Sequence, residues 1–146
     1  GILPVSFVAG RDDVIKVLSP GSEGSTFGGY PLASVVGVYA IKTLLDQQLA
    51  YNAKIKGAQL MDGLNQIKKD FSDKIRIVRG KGLLTAFEMY DNPHLDGHHI
   101  SIGLLNEGIY AKETHSTTIR LAPALTVSTD NVNKILDGVR NVIQNI

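Results

Sequence analysis

The sequence predicts an α/β protein that ends in a compact α+β layer, on three observations. From residue 75 onward the patterns run strand, strand, helix, strand, strand, helix, the order of a small sheet covered by helices on one face. Ahead of that, a helical periodicity without internal proline extends from Pro31 to about Phe71. Near the amino terminus, PVSFVA at residues 4–9 is short, apolar and β-branched and stops at Gly10, which reads as a buried strand from the end of a larger sheet.

After that strand, Asp12 and Asp13 are expected to cap a short helical turn through Val14, Ile15 and Val17, which Pro20 stops. Residues 20–32, PGSEGSTFGGYPL, hold small residues too densely for regular structure. Gly21, Gly24, Gly28 and Gly29 let another surface approach the main chain, while Ser22, Ser25 and Thr26 add hydroxyls among free N–H groups. Pro31 then opens a helix whose positive end points the same way, so a phosphate or carboxylate is the natural guest. Composition alone leaves an anion cradle and a glycine-rich surface loop equally open. Neither the three-glycine dinucleotide pattern nor the Gly-Lys-Ser/Thr ending of a nucleotide loop is present, which argues against a nucleotide.

Along the helical stretch, Leu32, Val35, Val36 and Tyr39 form one stripe and Leu60, Leu64 and Ile67 a later one. Its length implies either a break near Asn52 or one long helix bridging two domains. Ile75, Ile77 and Arg79 read as a strand, Gly80, Lys81 and Gly82 as a tight turn, and residues 83–89 as the partner strand. Asp96 is placed to cap a helix through Ile100, Leu104 and Leu105 that Gly108 ends in a left-handed turn. Residues 109–111 and 118–121 read as two short strands. Ser128 or Thr129 caps a last helix whose Val132, Ile135, Leu136, Val139 and Ile143 face the sheet.

The 146 residues are 43% hydrophobic, enough for a core, and 15 basic against 14 acidic residues give a charge of +1, so no charged field points to nucleic acid. Cysteine is absent, which excludes disulfides, thiolate metal sites and a cysteine nucleophile. No apolar run reaches the ~20 residues of a membrane helix. His94, His98 and His99 cluster in sequence, but Pro93 and Gly97 interrupt the local helix, and the expectation is solvated histidines and no metal. Lys81, between two glycines, reads as a solvated turn lysine. His115 reads as a turn residue ordering the strand of Arg120 in preference to a pocket wall.

Arg120 is the sharpest side chain. In the apolar run TIRLAP a charge is costly without a partner, and a guanidinium there offers two parallel donors to a carboxylate. On residues alone, a structural ion pair is the first reading of it.

The segment GSEGSTFGGYPLAS resembles the GxHGSTxGGNPL segment of the class-III, pyridoxal-phosphate-dependent aminotransferases, with Glu23 where that family usually has His and Tyr30 where it has Asn. GILPVS at residues 1–6, VRGKGLL at 78–84 and AKETHSTTIRLAPAL at 111–125 resemble three further blocks in the right order, the last with Ala124 in place of a second proline. The resemblance is strongest to the ornithine-using branch, with the acetylornithine and 4-aminobutyrate branches as alternatives. A non-catalytic small-molecule-binding α+β module is the alternative of another class.

The resemblance implies fold type I of the pyridoxal-phosphate enzymes. Residues 1–48 would be the end of the large cofactor-binding domain and the start of a linking helix, and residues 49–146 the rest of that helix and the small carboxy-terminal domain. It implies pyridoxal 5′-phosphate as cofactor, with Ser25 and Thr26 holding the phosphate of the neighbouring subunit. Arg120 would bind a substrate carboxylate as the δ-amino group of ornithine passes to 2-oxoglutarate. It also implies a homodimer with active sites at the subunit interface, amino-acid and 2-oxo-acid substrates, no nucleic acid or membrane, and a cytoplasmic or mitochondrial-matrix setting. The Schiff-base lysine is expected upstream of Gly1, so that this chain contains no catalytic residue and is inactive alone.

Overall fold

Leu60, Leu64 and Ile67 recur at helical spacing and are all but fully buried, and around them the carboxy-terminal part of the chain builds its core. The computed structural model describes residues 3–92 and 96–146. It divides into two units, Gly1–Gln47 and Gln48–Ile146.

The second unit begins with helix α3 (Leu49–Asp70) and continues through β1 (Ile75–Lys81), β2 (Leu84–Met89), α4 (Gly97–Asn106), β3 (Lys112–Thr114), β4 (Thr118–Leu121) and α5 (Thr129–Gln144). The strands form one antiparallel sheet in the order β1-β2-β4-β3. Strand alternation sorts their side chains: Phe87 pairs with Ile119 and Thr85 with Leu121, and these point to the helices. Phe87, Ile75 and Ile119 of the sheet, with Leu60 and Leu64 of α3, Ile100 and Leu104 of α4, and Val132, Val139 and Ile143 of α5, are buried in a single cluster. Each such side chain contributes about 1.5–3 kcal/mol by leaving water. The expected layer, a small sheet with helices on one face, is what forms.

Polar contacts set the helices in place. Asn52 Nδ2 donates to the carbonyl of Leu125 at 2.6 Å and Gln59 Nε2 to Asn133 Oδ1 at 2.8 Å, joining α3 to α5 and its approach. Asp96 caps α4 by accepting the N–H of His99, and Ser128 caps α5 by accepting the N–H of Asn131, as the sequence predicts. Gly108 takes positive φ just after α4.

In the first unit, α1 (Asp12–Ile15) and α2 (Pro31–Asp46) are the regular elements among the described residues. Several expectations are corrected. Residues 4–9 form no strand: with no ladder partner in their unit, their backbone stays unpaired and Val5, Phe7 and Val8 are exposed. Arg11, not Asp12 or Asp13, occupies the N-cap of α1, and the two aspartates sit in the first turn, bound by Lys16 and Arg11. Of the two arrangements expected for the long helical stretch, the structure has the broken one: two helices, with the break at Gln47–Gln48, four residues ahead of Asn52, where Gln48 adopts a left-handed conformation.

In the hairpin, Gly80 and Lys81 belong to β1 and the turn is Gly82–Leu83, because Lys81 pairs with Leu84. The third strand lies at Lys112–Thr114 and not at 109–111. The Ile109 N–H is taken by the carbonyl of Leu104 at the end of α4, and the short connection to β4 fixes the later register.

Candidate anion-binding site

The loop ahead of α2 is turned by Gly21 and Gly29, both at positive φ. Within it, the Gly28 N–H donates to the Ser25 carbonyl at 3.0 Å and the Tyr30 N–H to the Phe27 carbonyl at 3.2 Å. Among the described residues, the hydroxyls of Ser25 and Thr26 and the N–H groups of Ser25, Thr26 and Phe27 make no hydrogen bond. A Cβ built on Gly24 or Gly29 would meet nothing within 4 Å, so the main chain is approachable from outside.

Ser25 lines a cleft of ≈ 500 Å³ with Ser6, Gly28, Gly29, Tyr30 and Ser34; Thr26 is not among its lining residues. Uncommitted hydroxyls and N–H groups in the loop that leads into a 16-residue helix are donors of the kind a phosphate monoester takes, so these residues fit the phosphate of pyridoxal phosphate. Glu23 works against it by bringing a carboxylate into the same loop.

Arg120 lies in the second unit, in the middle of β4. The strand alternates Thr118, Ile119, Arg120, Leu121, and the phase that buries Ile119 and Leu121 puts Arg120 on the opposite, exposed face. It is therefore not a charge among apolar groups. Among the described residues its side chain makes no hydrogen bond or ion pair, which leaves the structural ion-pair reading without a partner.

Register places three cations in one row across that face: Arg79 of β1 opposite Ala86 of β2, Ala86 opposite Arg120, and Arg120 opposite Lys112 of β3. Ala86 is short, so the row has a trough between Arg79 and Arg120. Arg79 is already engaged: its Nη1 lies 2.5 Å from Glu88 Oε2, and Arg76 binds the other oxygen of the same largely buried carboxylate. The sequence reading missed both Lys112 and Glu88. Strand alternation carried back through the connection 115–117 is the signal that would have paired Lys112 with Arg120.

His115 and Ser116 hold positive φ in that connection, and the His115 carbonyl accepts the Thr117 N–H at 2.6 Å, so His115 is a turn residue. Lys81 is exposed at the end of β1. His98 Nδ1 lies 3.3 Å from Glu113, and His99 Nδ1 lies 2.8 Å from Asp96, where the bond from His99 holds the Asp96 carboxyl below its ordinary pKa. His94 and Pro93 lie outside the described residues, as do Gly1 and Ile2 of the first family-like block. Among the described residues no three His, Cys, Asp or Glu side chains gather as a metal site, and no helix is long and apolar enough to cross a membrane.

The four blocks extend to whole-chain similarity. The mitochondrial ornithine aminotransferase of Arabidopsis thaliana is 36% identical over 146 residues, which are 99% of this chain and 31% of that protein. An ornithine aminotransferase structure from Toxoplasma gondii, described as having partial occupancy of PLP at its active site, superposes with a TM-score of 0.85 at 35% identity, over 94% of this chain and 32% of the other. An acetylornithine aminotransferase from Elizabethkingia anophelis superposes with a TM-score of 0.84 at 31% identity, over 93% of this chain and 34% of the other. The chain thus spans about a third of the length of the relatives it matches. Its α/β fold, a small antiparallel sheet with helices, is that of the matching part of these enzymes. The aminotransferase class-III profile matches residues 1–143, so the chain belongs to the class-III aminotransferases.

Proposed function

We propose that the chain works as part of an ornithine aminotransferase that passes the δ-amino group of ornithine to 2-oxoglutarate, with pyridoxal phosphate as cofactor. The observation that carries this reading is Arg120, a guanidinium without a partner among the described residues, fixed on the open face of a strand whose other face is locked into the core. Such a group presents two parallel donors and matches the carboxylate that every amino-acid and oxo-acid substrate brings. The ornithine-using relatives favour ornithine as amino donor.

In this reading Ser25 and Thr26 hold the cofactor phosphate through their hydroxyls and the neighbouring N–H groups. When bound, pyridoxal phosphate supplies the electron sink that side chains lack. This chain's share is to bind and orient: the loop fixes an anion, and Arg120 fixes a carboxylate. The first unit buries none of its described side chains and leaves Leu32, Val35, Val38 and Tyr39 of α2 exposed. That fits a loop and helix completed by protein outside these 146 residues. A two-fold dimer in which Thr26 serves the partner's cofactor follows from the family resemblance and belongs to the same proposal.

The test is an assay of the full-length protein with ornithine and 2-oxoglutarate, following glutamate and the semialdehyde product. Ornithine-dependent turnover that exceeds turnover with acetylornithine and 4-aminobutyrate is expected. Preference for either of those donors moves the protein to a sister activity, and no turnover with any of the three overturns the reading.

A further inference from the structure

Buried side-chain polar atoms in a folded protein nearly always have a partner. Among the described residues two do not, the hydroxyl oxygen of Ser101 and Oε2 of Glu113, and both residues line one cleft of ≈ 200 Å³ between α4 and β3. The fold brings them together. Glu113 pairs with the buried Ile119, so its side chain lies on the helix-covered face of the sheet, opposite the face of Arg120. There α4 passes so close that a Cβ on Gly97 would stand 3.4 Å from that of Glu113, and Ser101 follows Gly97 by about one turn of the helix.

Neighbouring groups do not supply what is missing. His98 Nδ1 lies 3.3 Å from Glu113 Oε2 without the geometry of a hydrogen bond, and Lys112 makes no ion pair with that carboxylate. Two N–H groups in the first turn of α4 are taken, that of Gly97 by the Ser116 carbonyl and that of His99 by Asp96. A carboxylate oxygen only accepts and a hydroxyl oxygen can accept, so the buried part of the cleft calls for a donor. Its other lining is apolar and open to solvent: Ile102, Leu105 and Tyr110 are 45%, 51% and 85% exposed.

We propose that this cleft is a binding site for a small aliphatic amine in its ammonium form. The ammonium carries three donors and no acceptor, enough for Glu113 and Ser101 together, and the alkyl chain lies against Ile102 and Leu105 beside the Tyr110 ring. At ≈ 200 Å³ the cleft is smaller than the about 300–1,000 Å³ of sites for drug-sized molecules, so the guest has few heavy atoms. The binding is independent of the reaction proposed above.

The experiment titrates n-butylammonium chloride at constant ionic strength into the full-length protein, labelled at its isoleucine and leucine methyl groups, and follows Ile102 and Leu105 by NMR. Both resonances should shift and saturate at roughly millimolar amine. Glu113→Gln, which keeps the shape and removes the charge, should weaken binding about tenfold, and Ser101→Ala severalfold; the remaining methyl resonances show whether each variant folds as the wild type does. 1-Butanol, which lacks the charge, and ammonium chloride, which lacks the chain, should each bind more weakly. No saturable shift at either residue overturns the site, as does equal affinity in the wild type and both variants, or a response to 1-butanol or ammonium chloride as strong as to butylammonium. Nα-acetyl-lysine amide stands for a lysine of another protein and should bind more weakly than butylammonium; tighter binding would overturn a free amine as the guest.

Discussion

Gly57 of α3 lies against Gly82 of the β1–β2 turn so closely that a Cβ on Gly57 would stand 2.2 Å from the Gly82 carbonyl carbon. Helix and hairpin turn therefore touch main chain to main chain, with no side chain able to yield between them. Gly57→Ala gains helix propensity of about 1 kcal/mol but forces the turn away, and we expect a net loss of about 1–3 kcal/mol. Gly63→Ala is the control, because the atoms nearest its Cβ would be those of the Leu136 side chain, which can rotate, and not main chain. Urea unfolding of both variants should rank Gly57→Ala as clearly the less stable. Equal stability would mean that the hairpin turn gives way freely.

Glu88 binds two arginines from within the sheet, and removing it leaves Arg76 and Arg79 facing each other. Both guanidinium groups are about half exposed, which moderates the penalty. Glu88→Ala should lower stability by about 1–3 kcal/mol, read as a shift of the urea midpoint at unchanged slope. Because the loss also frees Arg79 in the row that contains Arg120, high salt should recover part of it; a loss that salt leaves untouched would mark it as one of packing.

Asp70 accepts from Arg140 at 2.7 Å and from Gln66, and the bond from Arg140 foremost holds its carboxyl below the ordinary value. A carboxyl depressed in the folded state adds stability above its unfolded pKa, about 3.9, and loses it as pH falls through the lower folded value. The stability gap between wild type and Asp70→Asn should be constant near neutral pH and close below about pH 4. Denaturant melts across that range check it; a gap that closes instead on raising the pH contradicts the ion pair.

How much of this was legible in the sequence depends on whether a local pattern or a partner decides each element. The caps at Asp96 and Ser128 and the buried stripe of Leu60, Leu64 and Ile67 are local, and the structure matches them. The strand expected at 4–9 needed a ladder partner that its unit does not supply. The edge strand Lys112–Thr114 lacks an apolar alternation, since neither face of it belongs to the deep core, and so it did not read as a strand. Arg120 was singled out for its chemistry, but its exposure followed from a period of two that TIRLAP already contained. Lys112 escaped notice because its meaning lies in register, which depends on the connection at 115–117.

Thr26 and Glu23 make opposite predictions for cofactor retention in the full-length holoenzyme. Thr26→Val keeps the shape and removes a donor to a charged group, so pyridoxal phosphate affinity should fall by about one to two powers of ten. Glu23→Gln removes a like charge from the same loop and should raise affinity, the more so at low salt. Absorbance of retained cofactor after dialysis reads both. If neither variant shifts it, the loop does not hold the phosphate.

Arg120→Lys in the full-length protein keeps the positive charge and abolishes the two-pronged geometry, which makes it the most direct measurement of the account. Steady-state kinetics should show the KM for 2-oxoglutarate raised by about one to two powers of ten, with cofactor retention and folding unchanged. Unaltered constants for both ornithine and 2-oxoglutarate would contradict the assignment of Arg120 as the carboxylate-binding residue.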